Sequence, residues 1–453
     1  MLSLEDCVQI AEENALTLKQ ARLIIENAEI NLKEAQMSRL PSLNGSASAG
    51  LQYGRTIDPT TNDFGTSEIG FNSLGLNSSV LVYGGGRINH NIARSKYDLK
   101  AAMFDGENAL NNLGLTLANV YLQILLTEDQ LENAKRQLRV SQDQYEQSRK
   151  FADAGVIPEN DLLDLEAQVA LNEQAVLVAE GNKEVAYLTL VQLLELDAEE
   201  EIKVSRPELN IPVEDPMKVS LNQVYQTALG NQPSVKAADF RLKSAEESIS
   251  IAQSAALPQL VLFGSLSSNW SSLGREVVGF QTQYVPLDLV DPITGESLTL
   301  QIGQDVPMFS DQLYLDQLNQ NFGQSVGLSL NIPIFNGLST RSGVKRARLN
   351  AKNIKLTNNQ QLQQLKTDIQ RAIIQARTSK LSYYAAEKAF NASDIAFKNS
   401  EKKFALGALN TLELNTARNL RDRAETDLLN AKYQYIFNMK VLDFYMGRGL
   451  TLN

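Results

Sequence analysis

LGLTLANVYLQILLTEDQLENAKRQLRVSQDQYEQSRKFADAG, residues 113–155, decides the fold. Within it Leu113, Leu117, Val120, Ile124, Thr127, Leu131, Ala134, Leu138, Ser141, Tyr145, Ser148 and Ala152 alternate spacings of four and three without a break. A sustained period of 3.5 demands a left-handed supercoil against neighbouring helices. The seam is rich in Ala, Ser and Thr, so it calls for closely approaching neighbours rather than a broad leucine zipper. Extended back to Arg87, the helix would run about 100 Å at 1.5 Å per residue. Compact domains contain no such rod.

The same seam returns 252 residues later, at Leu365, Ile369, Ala372, Ala376, Ser379, Tyr383, Ala386, Phe390, Ser393, Phe397, Ser400 and Phe404. Repetition extends outward from there. Residues 3–43 align without a gap on 220–260, so that Ser3, Ala11, Asn14, Ala28, Glu29, Leu40 and Pro41 meet Ser220, Ala228, Asn231, Ala245, Glu246, Leu257 and Pro258. The offset grows from 217 to 252, which places 35 extra residues inside the second copy. Residues 1–196 therefore form one repeat and 218–453 the other. The acidic stretch 197–217, with Pro207, Pro212 and Pro216, reads as a linker.

Each copy opens with one helix, started by a capping-box-like serine (Ser3 or Ser220) and stopped before Pro41 or Pro258. Two extended segments follow, then the long helix, a glycine turn and a returning helix. The extended segments alternate. Val326, Leu328, Leu330, Ile332 and Ile334 share one face, with Ser325, Gly327, Ser329 and Asn331 on the other. Leu74, Leu76, Val80 and Val82 repeat the pattern, as do Gly45, Ala47, Ala49, Leu51 and Tyr53, and Leu260, Leu262, Leu266 and Trp270. Segments of about ten alternating residues fit a transmembrane barrel, and a half-buried soluble sheet looks alike. Tyr53, Phe71, Tyr83, Trp270, Phe322 and Phe335 stand at segment ends, which suits interface girdles, although aromatics commonly flank turns as well. Four strands cannot close a barrel, because about eight is the smallest that fills its own interior. A dimer would share eight strands around a plugged lumen; a trimer would share twelve around water, which a Ser, Gly and Asn inner face favours.

Composition limits the alternatives. A net charge of −11 with a pI near 4.9 disfavours binding to nucleic acid or anionic membrane surfaces, since phosphates would be repelled. No stretch approaches the roughly 18 consecutive apolar residues of a spanning helix, which leaves a closed barrel as the way through lipid. The chain opens on Leu2-Ser3-Leu4-Glu5-Asp6 without a basic region and apolar core, so it is either cytosolic or begins after a removed leader. The single cysteine, Cys7, excludes an intrachain disulfide framework and reads as a small packed residue. His90, the one histidine, has no Cys or carboxylate cluster at metal spacing, so neither a zinc site nor a His-based catalytic set is expected. Gly84-Gly85-Gly86-Arg87 lacks the spacing of a phosphate cradle. Its counterpart around Gly337 shows a shared strand-to-helix turn instead.

The opening Leu2-Ser3-Leu4-Glu5-Asp6 with Ala11 and Asn14, the Leu40-Pro41 and Leu257-Pro258 helix ends, the turns at Gly85 and Gly337 and the glycines Gly155 and Gly407 together resemble the TolC family of outer-membrane efflux proteins. The resemblance covers essentially the whole chain. It implies a mainly α fold with β: a homotrimer sharing a twelve-stranded transmembrane barrel in the outer membrane of a Gram-negative bacterium, continuous with a coiled-coil helical barrel in the periplasm. It also implies a non-enzymatic exit duct without cofactors, docked through its tips to a periplasmic adaptor serving an inner-membrane transporter.

The tips around Gly155 and Gly407 have two readings. Glycine supplies the left-handed residue that ends a helix; the family implies that Phe151, Gly155, Val156, Phe404, Gly407 and Ala408 also touch the adaptor. Six residues beyond each glycine lies an acid, Asp161 or Glu413, with Asp164 three further on. The resemblance places Glu413 in a ring that closes and selects at the constricted end, while Thr416 stands where a second acid ring would lie. The plainer reading of both is a helix N-terminal acid favoured by the macrodipole. The region 271–321 is expected to be a long external loop. Besides the duct, a soluble coiled-coil or adaptor-like structural protein explains the helices, and an enzyme finds no nucleophile, metal set or cofactor loop to rest on. Cargo is not legible.

Overall fold

The computed structural model describes residues 1–57, 64–65, 68–155, 159–197, 202–207, 209–212, 214–290, 292–293, 295 and 297–449. The first copy holds α1 (Leu4–Asn14), α2 (Leu16–Met37), β1 (Ser42–Gln52), the short pair β2 (Thr56–Ile57) and β3 (Phe64–Gly65), β4 (Ile69–Tyr83), α3 (Arg87–Asp153) and α4 (Glu159–Leu193). The second holds α5 (Leu221–Asn231), α6 (Pro233–Ser254), β5 (Gln259–Ser271), β6 (Arg275–Val290), β7 (Ser297–Asp311), α7 (Tyr314–Gln320), β8 (Gly323–Asn331), α8 (Ser339–Ala405) and α9 (Thr411–Tyr445).

Helix lengths recur along the chain. Helices α1 and α5 have 11 residues each, α2 and α6 22, α3 and α8 67, and α4 and α9 35. Their ends differ by 217 before the strands and by 252 after them. Positive φ falls at matching places: Gly85, Gly86, Gly155 and Glu195 against Gly337, Leu338, Gly407 and Gly447.

Three local expectations need correction. Each copy opens with two helices, not one. Gln232 precedes Pro233, whose ring forces it out of helical geometry, and Ala15 adopts the same extended shape (φ −55°, ψ 125°) without a proline. Ser3 forms a full capping box with Asp6, at 2.8 and 3.1 Å, but Ser220 makes no side-chain cap. The stretch expected as a loop between 271 and 321 is instead the β6–β7 hairpin followed by α7. Its apolar and polar residues alternate, a signal masked by the Asp, Pro and Gln among them.

Two compact units result: Met1–Leu32, Ala93–Glu247 and Arg348–Asn453 in one, Lys33–Ile92 and Ser248–Ala347 in the other. In the first, every predicted seam position of α3 and α8 is buried or half-buried. Two clusters at equivalent positions form its core. Cys7, Ala11, Leu117, Tyr121, Ile124 and Leu190 anchor one; Val224, Ala228, Ile369, Ile373, Ala376 and Leu442 anchor the other. That valine occupies the place of Cys7 bears on its role: the thiol packs as a small apolar group. The inter-repeat stretch joins this core, for Leu2 bridges Val204 in parallel, Tyr121 Oη donates to the Ser205 carbonyl at 2.7 Å, and Arg206 pairs with Glu128 and Asp129 at 2.8 and 2.9 Å. By composition alone α3 has one window, of mean hydropathy 1.2, apolar enough to cross a membrane. The packed residues of the first cluster account for that apolarity.

The second unit contains an antiparallel four-stranded sheet in the order β1-β4-β5-β8. Its register aligns all four alternations. Gly45 opposes Leu76, Leu76 opposes Leu266, Val80 opposes Leu262, and Leu262 opposes Leu328, so the apolar sets share one face. Ser46, Gly75 and Ser267 align on the other face, as do Ser265 and Ser325. Phe71 departs from the girdle expectation: it lies on the polar face, where its ring covers Gly50 closely enough that a Cβ there would meet it at 2.9 Å. Helix α7 packs on the apolar face, with Tyr314 against Trp270 at 5.7 Å and Ser268 Oγ donating to the Leu318 carbonyl at 2.6 Å.

Candidate functional site

Both long helices end in the same chemistry. Gly155 has φ +71° and Gly407 φ +66°, the left-handed conformation that costs an L side chain about 1–2 kcal/mol. The Gly155 and Gly407 amides donate to the Ala152 and Phe404 carbonyls, each at 2.9 Å, and the Ala408 amide donates to Lys403 at 2.9 Å. The Gly407 turn is thus a Schellman motif, which satisfies carbonyls that the helix end would leave bare. Among the described residues nothing lies within 4 Å of a Cβ built on either glycine, so the requirement they show is conformational rather than steric. Phe151, Leu406 and Ala408 are exposed around these turns, while Phe404 is half-buried at the last seam position. Val156 lies outside the described residues.

Beyond the second turn, Asn410 caps α9 by accepting from the Glu413 amide at 2.8 Å. Glu413 is therefore the third residue of the helix, exposed, where an anionic side chain gains from the orphan N–H groups. Asp161 sits half-buried in the first turn of α4, and Asp164 is exposed one turn on. Among the described residues no hydrogen bond or ion pair joins Glu413, Asp161 and Asp164; a single chain does not assemble them into one site. In the strand-to-helix turns Gly85 has φ +61° and Gly337 φ +59°.

A half-buried ionic cluster on α9, several turns beyond the second tip, was not read from the sequence. Arg421 pairs with Asp422 and Glu425 at 2.9 Å and with Asp394 at 3.6 Å, and Arg136 of α3 reaches Glu425 at 2.6 Å. Burial raises the Asp422 carboxyl against the pull of Arg421. Arg418, one turn closer to the tip, is only 2% exposed. Its guanidinium lies 5.8 Å from the Phe397 ring centre, and Nε and Nη2 find no hydrogen-bond partner among the described residues. Burial pushes its pKa below the ordinary arginine value. The available signal was the spacing of Arg418, Arg421, Asp422 and Glu425, which places them along one side of α9 opposite Asp394. Among the described residues no group of His, Cys, Asp and Glu is arranged to hold a metal ion.

An amphipathic antiparallel sheet with two open edges, carried on a chain whose helices reverse at glycine tips, defines the class of outer-membrane channel protomers. The chain belongs to the outer membrane efflux protein family, whose model matches residues 7–195 and 224–448. An uncharacterised protein of Haemophilus influenzae is 28% identical over 272 residues, 58% of this chain and 55% of its own length. The outer membrane protein TolC of Salmonella enteritidis is 31% identical over 133 residues, 29% of this chain and 27% of its own. The matched regions thus span about half and about a quarter of these relatives. The crystal structure of CusC, described through its transmembrane channel formation, superposes with a TM-score of 0.77 at 18% identity, covering 98% of this chain and 92% of CusC, a likeness of fold.

Proposed function

We propose that three copies of this chain assemble into an outer-membrane exit duct. The observation that carries this reading is the sheet register, which gathers four separate apolar alternations on one face and the Ser, Gly and Asn sets on the other. Such a sheet suits lipid outside and water inside. Its edge strands β1 and β8 run in opposite directions, so β8 of one copy meets β1 of the next as an antiparallel pair, and three copies close twelve strands. The repeats 1–196 and 218–453, joined by the linker 197–217, then each contribute two strands of that barrel. A soluble coiled-coil protein explains the sheet less well, because it would leave Leu43, Val326 and Leu328, 73%, 81% and 65% exposed, in water.

In this reading the helices of a Gram-negative protein stand in the periplasm. The tips at Phe151, Gly155, Val156, Phe404, Gly407 and Ala408 meet a periplasmic adaptor that couples the duct to an inner-membrane transporter. Glu413, repeated three times around one axis, forms the gate ring, and Asp161 and Asp164 are the further acids assigned to the gate. Detergent extraction tests the assembly: the protein should need detergent and run as a heat-labile trimer, and a monodisperse soluble monomer would sink the reading. The gate has its own test. Glu413→Gln should lower cation selectivity in planar bilayers, because three like charges at a constriction attract cations; unchanged selectivity would remove Glu413 from that role.

A further inference from the structure

The insertion that distinguishes the second copy is an amphipathic ribbon. Strand β6 pairs with β7 from Arg275 opposite Asp311 to Val290 opposite Ser297, with one irregularity between Val277 and Gly279. In its distal half Val285 faces Ile302, Leu287 faces Leu300, and Leu289 faces Leu298. Alternation puts Val285, Leu287, Leu289, Leu300 and Ile302 on one side. The other side carries Tyr284 with Gly303, Pro286 with Gln301 and Asp288 with Thr299. There Thr282 and Thr299 donate to Asp305 and Asp288 at 2.7 and 2.6 Å. The polar side is satisfied in water. Its opposite is not, since Val285, Leu287, Leu289, Leu300 and Ile302 are each 44–50% exposed. An isolated two-stranded ribbon is marginal in water, and a contiguous apolar face marks an interaction site.

Three features choose the occupant. Arg275 is the one basic residue between 275 and 311, against Glu276, Asp288, Asp291, Glu296, Asp305 and Asp311, so anionic lipid headgroups repel the ribbon. Pro286 and Pro307 sit within the paired strands, where a proline nitrogen must face away from the partner. The outer edges therefore lack N–H groups at those points, which hinders edge-on strand addition and leaves association through the face. Finally, the ribbon is rooted between β5 and β8, and β8 is the open edge on which the next copy joins in the reading above.

We propose that the β6–β7 ribbons of three copies pack their apolar faces against one another, forming a collar that narrows the barrel mouth. The proposal rests on the trimer reading, and cysteine crosslinking separates the two. With Cys7 replaced by Ala, Leu287→Cys and Leu300→Cys are introduced singly, and Gln301→Cys serves as the opposite-face control. Mild oxidation of purified trimers should give a covalent dimer for the first two, with up to two of three chains linked, and none for the control. Absence of a heat-labile trimer in the unmodified protein would sink the assembly reading. A trimer in which both apolar-face cysteines stay unlinked would overturn the collar alone. Maleimide labelling then tells what covers the face instead, with free labelling meaning water and protection meaning lipid.

Discussion

Gly85 and Gly337 occupy equivalent turns, yet their surroundings differ. A Cβ on Gly85 would meet Leu257 at 2.6 Å, whereas among the described residues nothing lies within 4 Å of one on Gly337. Gly85→Ala should therefore cost about 2–4 kcal/mol, combining left-handed strain with overpacking, and Gly337→Ala only the strain of about 1–2 kcal/mol. The next residue along reverses the sign: Leu338 holds φ +66° without being glycine, so Leu338→Gly should be neutral or stabilise by up to about 1 kcal/mol. Chemical denaturation of detergent-solubilised protein ranks the three, and equal losses at Gly85 and Gly337 would refute the Leu257 contact. Cys7 yields a pH prediction. Burial lifts its thiol from 9.0 to about 11, so the folded state holds the proton more tightly. Its contribution to stability is complete below pH 9 and is lost as pH rises through 11. Alkylation at pH 8 should be negligible until the protein is unfolded; rapid native labelling would contradict the packing.

Among the elements, the long helices and four sheet strands were legible because their periods, 3.5 and 2, run long enough to outweigh local noise. The hairpin was not, because polar residues interrupt its apolar rungs and its register depends on a partner strand. The tip glycines were visible as turns, while the burial of Arg418 was not: helical spacing lines it up with Arg421 and Glu425, but whether a charge on that face is covered is a tertiary outcome. Element direction also sets a test of the sheet. Val326 and Ser325 are neighbours in β8 on opposite faces. If the apolar face meets lipid, Val326→Arg should cost about 2–4 kcal/mol near the bilayer midplane, whereas Ser325→Arg should fold and insert and lower cation conductance. Heat-semi-denaturing gels and bilayer recordings of both variants decide it, and tolerance of Val326→Arg would invert the assignment of faces.

At the scale of the whole molecule, duplication has kept the backbone and divided the packing. The two copies match in helix length to the residue, yet their cores do not interchange: Ile124 of α3 is completely buried, and its counterpart on α8 is the equally buried Ala376. A large residue in one copy and a small one in the other means that each seam fits its own neighbours. Swapping the residues tests this. Ile124→Ala should leave a cavity and cost about 2–5 kcal/mol. Ala376→Ile should overpack and cost about 1–3 kcal/mol. Because the two positions belong to separate clusters, the double variant should lose close to the sum. Thermal unfolding followed by far-ultraviolet circular dichroism measures all three. A double variant more stable than either single one would mean that the two seams compensate one another and share one core, in conflict with two clusters packed independently around a repeated backbone.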